Sequence, residues 1–94
     1  MKQPAIYIMS SQENGTLYTG VTSNLIKRVH EHKTLTNGFT GRHHCKMLVY
    51  YDLFEDMNAA ISREKQIKGG SRIKKLRLIN QFNPAWKDLY NKIV

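Results

Sequence analysis

Five residues in this chain have types and spacings suited to proton transfer and phosphate chemistry: Tyr7, Tyr18, Arg28, His32 and Glu64. Arg28 and His32 stand four apart, so a helix through them projects both from one side, near the stripe that packs on the rest of the fold. An arginine so placed is expected to stay largely buried while presenting its planar fork to a phosphate. A histidine beside it can take up or relay a proton near neutral pH. Tyr7 and Tyr18 lie on two short runs around an Asn14-Gly15 turn signal. A hairpin loop with an even number of residues pairs odd positions with even ones, which puts both phenols on one face. Strand tyrosines also pack simply because aromatic residues suit pleated surfaces.

Glu64 is the sharpest anomaly. At helical spacing it shares an inner stripe with Met57, Ala60, Ile61 and Ile67, and a carboxylate among apolar neighbours is costly unless something compensates it. An internal ion pair to Arg28 or Arg63 and the binding of a metal ion are equally compatible with that spacing.

The elements that must hold these residues follow from local pattern. Ala5 to Ser10, Leu17 to Thr22 and Lys46 to Phe54 are rich in β-branched and aromatic residues and predict three strands, the first two forming an antiparallel hairpin. Ser23 or Asn24 caps a helix over Leu25 to Thr34, with Leu25, Val29 and His32 inward and Ile26 beside them. Leu35 to Cys45 contains Asn37-Gly38 and Gly41 and is expected to be a mobile loop. Asp56 or Asn58 caps a second helix to Lys68, stopped by Gly69-Gly70. Ser71 begins a third, to about Gln81, with Ile73, Leu76 and Ile79 or Asn80 inward. Asn83-Pro84 has the order of a helix start, predicting a last helix from Pro84 to Ile93 anchored by Trp86, Leu89 and Tyr90. The fold class is therefore α+β, a small three-stranded antiparallel sheet flanked by helices. At 94 residues it reads as one domain with its site at the surface.

Fifteen Lys and Arg against seven Asp and Glu give a formal net charge of +8, which favours polyanionic partners. The basic residues cluster: Arg63 to Arg77 holds seven cations and one acid, Glu64. Lys68, Arg72, Lys74, Lys75 and Arg77 are the candidate nucleic-acid contacts. A membrane surface is the lesser expectation, because no strongly apolar face accompanies the charge. No apolar run approaches the ~18 residues of a membrane span, and no secretory leader is visible. The single Cys45 fits a reducing compartment, so a cytoplasmic protein is expected. Arg42-His43-His44-Cys45 lacks the paired spacing of a structural zinc site.

Ala5-Ile6-Tyr7, Tyr18-Thr19-Gly20, Arg28 with His32, Arg63-Glu64-Lys65-Gln66-Ile67-Lys68 and Asn83-Pro84-Ala85-Trp86-Lys87-Asp88-Leu89 together resemble the small stand-alone bacterial members of the GIY-YIG endonuclease superfamily. That superfamily includes the nuclease domain of the repair excinuclease C subunit. The resemblance implies hydrolysis of DNA phosphodiester bonds with one divalent metal ion, Mg²⁺ or Mn²⁺. It makes Tyr7 and Tyr18 the motif tyrosines, one assisting deprotonation of the attacking water. Arg28 would steady the scissile phosphate, Glu64 would hold the metal, and His32 would relay a proton or orient a tyrosine. Ala5 stands where the family name has Gly, and Thr19 where it has Ile; neither change removes a reacting group. Asn80 and Asn83 both compete for the asparagine that follows the metal glutamate in the family. DNA is the expected partner, RNA is an alternative, and a monomer is the simpler expectation. From another class, the basic segment 63–77 alone would also suit a nucleic-acid-binding module without catalysis.

Overall fold

In the computed structural model, which describes residues 3–34 and 37–94, strand β1 (Ala5–Ser10) is buried along its whole length. It is the middle strand of an antiparallel sheet ordered β2-β1-β3, with β2 at Leu17–Thr22 and β3 at Met47–Leu53. Both faces are covered, so β1 reads as a continuous apolar run. Ala5, Tyr7 and Met9 pack with Leu25 and Val29 of α1 (Leu25–Thr34) and with Tyr90 and Ile93 of the C-terminal turn. Ile6 and Ile8 pack instead with Ala60 and Ile67 of α3 (Met57–Gly69) and Ile79 of α4 (Arg72–Phe82). The fold is α+β, with helices on both faces of the sheet.

The hairpin loop runs from Ser11 to Thr16, longer than Asn14-Gly15 alone but still even. Asn14 takes a left-handed φ of 58°, a conformation asparagine tolerates well. The resulting register pairs Tyr7 with Gly20 and Met9 with Tyr18, so the two phenols do share a face. Alternation fails in β3. Ile8 pairs with Tyr50 while Met9 pairs with Leu48, leaving Val49 as a bulge. Val49 and Tyr50 consequently enter the same core, and Leu48 returns to the tyrosine side.

Asp56 caps α3 by accepting from the Ala59 amide at 2.8 Å, and Ser71 caps α4 by accepting from Lys74 N at 3.3 Å. Ile73, expected inside, is 62% exposed, and Ile26, beside the inward stripe of α1, is 45% exposed. The expected mobile loop is a correction. Leu35 and Thr36 lie outside the described residues, but Gly38–Arg42 forms a short helix, α2. Thr40, Gly41 and Cys45 are buried, and Cys45 N donates to Thr40 O at 2.9 Å. Burial and hydrogen bonding fix this segment where turn-forming residues alone suggested mobility.

The last helix is also shorter than expected, confined to α5 (Tyr90–Ile93). Asn83 is buried and does not act as an N-cap. Its Nδ2 donates to Val49 O (3.2 Å) and Lys87 O (2.8 Å), while its Oδ1 accepts from Lys87 N. Leu89 N donates to Leu48 O at 2.8 Å, and Asp88 accepts from Leu48 N. The segment is thus drawn out along β3 by tertiary hydrogen bonds before it can wind. Trp86 and Leu89 are the buried anchors, as expected, with Tyr90 half-buried.

Candidate active site

Tyr7 and His32, twenty-five residues apart, meet in the layer between the sheet and α1. The Tyr7 hydroxyl lies 2.8 Å from His32 Nε2, and His32 Nδ1 lies 2.9 Å from Thr40 Oγ1. All three residues are buried. The tyrosine ring fits because position 20 has no side chain: a Cβ on Gly20 would fall 2.4 Å from the Tyr7 hydroxyl oxygen. Gly20→Ala is therefore expected to displace the ring and cost about 1–3 kcal/mol through overpacking. Thermal melting checks it; an unchanged melting temperature would mean that the ring has room to move.

Burial pushes the Tyr7 hydroxyl far above its ordinary acidity range, reinforced by Tyr18 and opposed by the Arg28 guanidinium. Burial also holds His32 below the usual histidine range, and the positive charge of Arg28 adds to that. At neutral pH the pair is accordingly a neutral phenol against a neutral imidazole. Two tautomers satisfy both contacts. In one of them His32 donates Nδ1–H to Thr40 Oγ1, leaving Nε2 to accept from Tyr7.

Tyr18 joins this pair through ring contacts, 6.4 Å from Tyr7 and 5.3 Å from His32 between centroids. Arg28 acts electrostatically on both Tyr7 and His32. Contrary to expectation its side chain is not largely buried: it is 48% exposed and paired through Nε with Glu31 at 3.1 Å. The cause is its place on the helix, one residue before the buried Val29.

Glu64 is buried, as its stripe requires. Its partner is neither Arg28 nor Arg63 but Lys68, one turn along, at 2.8 Å from Oε2. Lys68 Nζ also sits 5.9 Å from the centre of the Tyr18 ring, which ties the carboxylate to the tyrosine edge. Among the described residues no three His, Cys, Asp or Glu side chains cluster as a metal cage. One carboxylate nevertheless suits a Mg²⁺-like ion, which keeps water and substrate oxygens for most of its shell. Thr19, on β2 between Leu17 and Val21 that pack on the α3 side, keeps a buried Oγ1 with no hydrogen-bond partner. The donor chemistry on this side of the sheet is thus oxygen-based, which fits a hard cation.

The expected nucleic-acid residues divide. Lys68 is engaged by Glu64, and Arg72 donates to the carbonyls of Asn14 and Gly15 at 2.7 Å each, tying α4 to the hairpin. Lys74, Lys75 and Arg77 line a groove between α3 and α4 with Arg63. Asn80 accepts from Trp86 Nε1 at 2.8 Å, so both candidate asparagines have structural partners. Thr40 went unrecognised in the sequence because α2, which carries it, is too short for helical periodicity to reveal.

The family model described as GIY-YIG catalytic domain matches residues 3–77. Among curated relatives, a UPF0213 protein of Syntrophus aciditrophicus is 37% identical, covering 89% of this chain and 97% of the relative. A UPF0213 protein of Staphylococcus saprophyticus is 36% identical, covering 86% and 99%, and one of Natronomonas pharaonis is 39% identical, covering 79% and 87%. These names carry no activity. No solved structure matches the chain significantly.

Proposed function

The chain belongs to the GIY-YIG family, a nuclease family, and on that premise we propose that it is a divalent-metal-dependent endonuclease hydrolysing phosphodiester bonds in DNA. The observation that carries the reading is the buried 2.8 Å contact between Tyr7 and His32 beside a cationic Arg28. A buried phenol is a poor base by itself. Coupled to a neutral imidazole it can take a proton from water while passing its own to His32 Nε2. The water oxygen attacks phosphorus, and the ester oxygen leaves with the bonding pair and takes a proton from solvent, to which His32 returns the one it received. Arg28 offers its terminal amino groups to the phosphoryl oxygens as charge builds. Thr40 positions His32 by accepting Nδ1–H. Tyr18 packs against the pair and orients it.

Glu64 would hold the metal ion once Lys68, whose side chain is half-exposed, swings away. Bound there, a divalent cation supplies Lewis-acid stabilisation of phosphoryl charge. The Glu64–Lys68 pair is also the feature that favours the rival reading, a nucleic-acid-binding module that no longer cleaves. Incubation with supercoiled plasmid separates them. Nicking in Mg²⁺ or Mn²⁺ that stops in chelator is expected, whereas binding without nicking selects the module. An RNA substrate cut in preference to DNA would overturn the choice of polymer. The free, buried Cys45 supports a reducing setting, the cytoplasm.

The groove lined by Lys74, Lys75 and Arg77 is proposed to contact substrate phosphates away from the reacting bond. Neutralising Lys74 and Lys75 together is expected to flatten the dependence of log affinity on log salt by about 1.8 for duplex DNA, close to 0.9 per lost phosphate contact. Filter binding across a salt series measures this, and an unchanged slope would move the contact surface elsewhere.

A further inference from the structure

The rings do not stop at the proton-relay centre. Phe39, on α2, lies 5.9 Å from Tyr18, and His43, one turn further, lies 4.4 Å from Phe39 with the planes 36° apart. The series Tyr7, Tyr18, Phe39, His43 therefore runs outward from a fully buried phenol to solvent. Phe39 is 43% exposed, although the next two residues, Thr40 and Gly41, are buried and already anchor α2. A lone exposed phenylalanine needs no explanation. This one is backed by an imidazole, continuous with the tyrosines and flanked by cations: Arg42 on the same helix is exposed, and Lys68 lies over the Tyr18 ring.

We propose that Phe39 and His43 form a stacking platform for an unpaired nucleobase of the substrate, beside the Tyr7–His32 centre. The proposal rests on the nuclease reading and names the part of the substrate that the site grips. An aromatic face next to positive charge suits the two parts of a nucleotide, since the base stacks and the backbone phosphate meets the cations. A base within an intact duplex has both faces stacked on neighbours and is closed to such a platform. A base in a single-stranded segment or one swung out of the helix is open to it. Stacking tolerates any base, so the platform selects strand structure over sequence.

The test uses a single-stranded thymine oligonucleotide carrying 2-aminopurine at spaced positions, titrated with the protein in chelator, beside a blunt duplex of equal length. Binding of the parent is expected to quench the fluorescence. Phe39→Ala is expected to lose the quench and bind the single strand roughly tenfold more weakly, a loss typical of removing one stacked base, with duplex affinity unchanged. Phe39→Trp should restore both. Equal quenching in Phe39→Ala, or the same loss of affinity on duplex and single strand, would overturn the platform. The same samples in Mn²⁺ separate this proposal from its premise. Quenching without cleavage by the parent sinks the nuclease reading and leaves the platform standing, whereas cleavage without quenching does the reverse.

Discussion

Tyr7→Phe is expected to slow cleavage by roughly 10²–10⁴-fold, the range for loss of a positioned acid–base group. Binding of DNA in chelator should stay as it was. The ring remains and keeps its packing over Gly20, so the change removes little except the hydroxyl that meets His32 Nε2. His32 then has an unpartnered ring nitrogen in the interior, a loss of about 1–3 kcal/mol, too small to unfold a domain of ordinary stability. If Tyr7 serves only to pack, single-turnover rates of the two proteins will coincide, and the chemical role passes to Tyr18.

Glu64→Gln should abolish metal-dependent nicking while leaving the metal-free fold about as stable as the parent. The substitution keeps the shape of the side chain but removes the charge that a hard cation requires of its oxygen ligand. In the metal-free protein Glu64 pairs with Lys68, whose side chain is half-exposed. A pair of that kind contributes about 0–1 kcal/mol, and neutralising a mostly buried carboxylate offsets part of it. A structural ion pair behaves otherwise, because breaking a fully buried one costs about 3–5 kcal/mol. Thermal melting in chelator, paired with nicking in Mn²⁺, discriminates. A large drop in stability with cleavage retained would remove Glu64 from the metal.

What could be read from the sequence was local. The even hairpin loop sets the phase of Tyr7 and Tyr18 through the register alone. The inward stripe of α1 follows from spacing, and the caps at Asp56 and Ser71 follow from one side chain and one amide each. What could not be read depends on partners far along the chain. Val49 bulges only because β3 must satisfy the register of β1. Asn83-Pro84 carries a helix-start signal, yet Asn83 binds the backbone of Val49 and Lys87, and Leu89 binds Leu48. Four residues of the candidate site stood out in the sequence as residue types, Tyr7, Tyr18, His32 and Glu64. Thr40 was not, because its role exists only when α2 folds back over His32. The exposure of Arg28 and the pairing of Glu64 with Lys68 belong instead to helical spacing, i,i+3 to Glu31 and i,i+4 to Lys68, although Arg28 and Arg63 are the partners of Glu64 expected from the sequence.

The relay from Tyr7 to His32 is tested most directly by the pH dependence of single-turnover cleavage. His32 is held below the ordinary histidine value of 6.5, so it stays neutral and able to accept a proton at pH 7, and loses that capacity only as the pH falls through its lowered pKa. Burial raises the ionisation of Tyr7 well above 10, so no phenolate forms in the working range. The expected profile is an acid limb lying below pH 6.5 and a plateau from neutrality upward, with the limb abolished in His32→Ala along with most of the rate. A rate that keeps climbing about tenfold per pH unit past pH 9, unaffected by His32→Ala, would show a base ionising on its own and would contradict the relay.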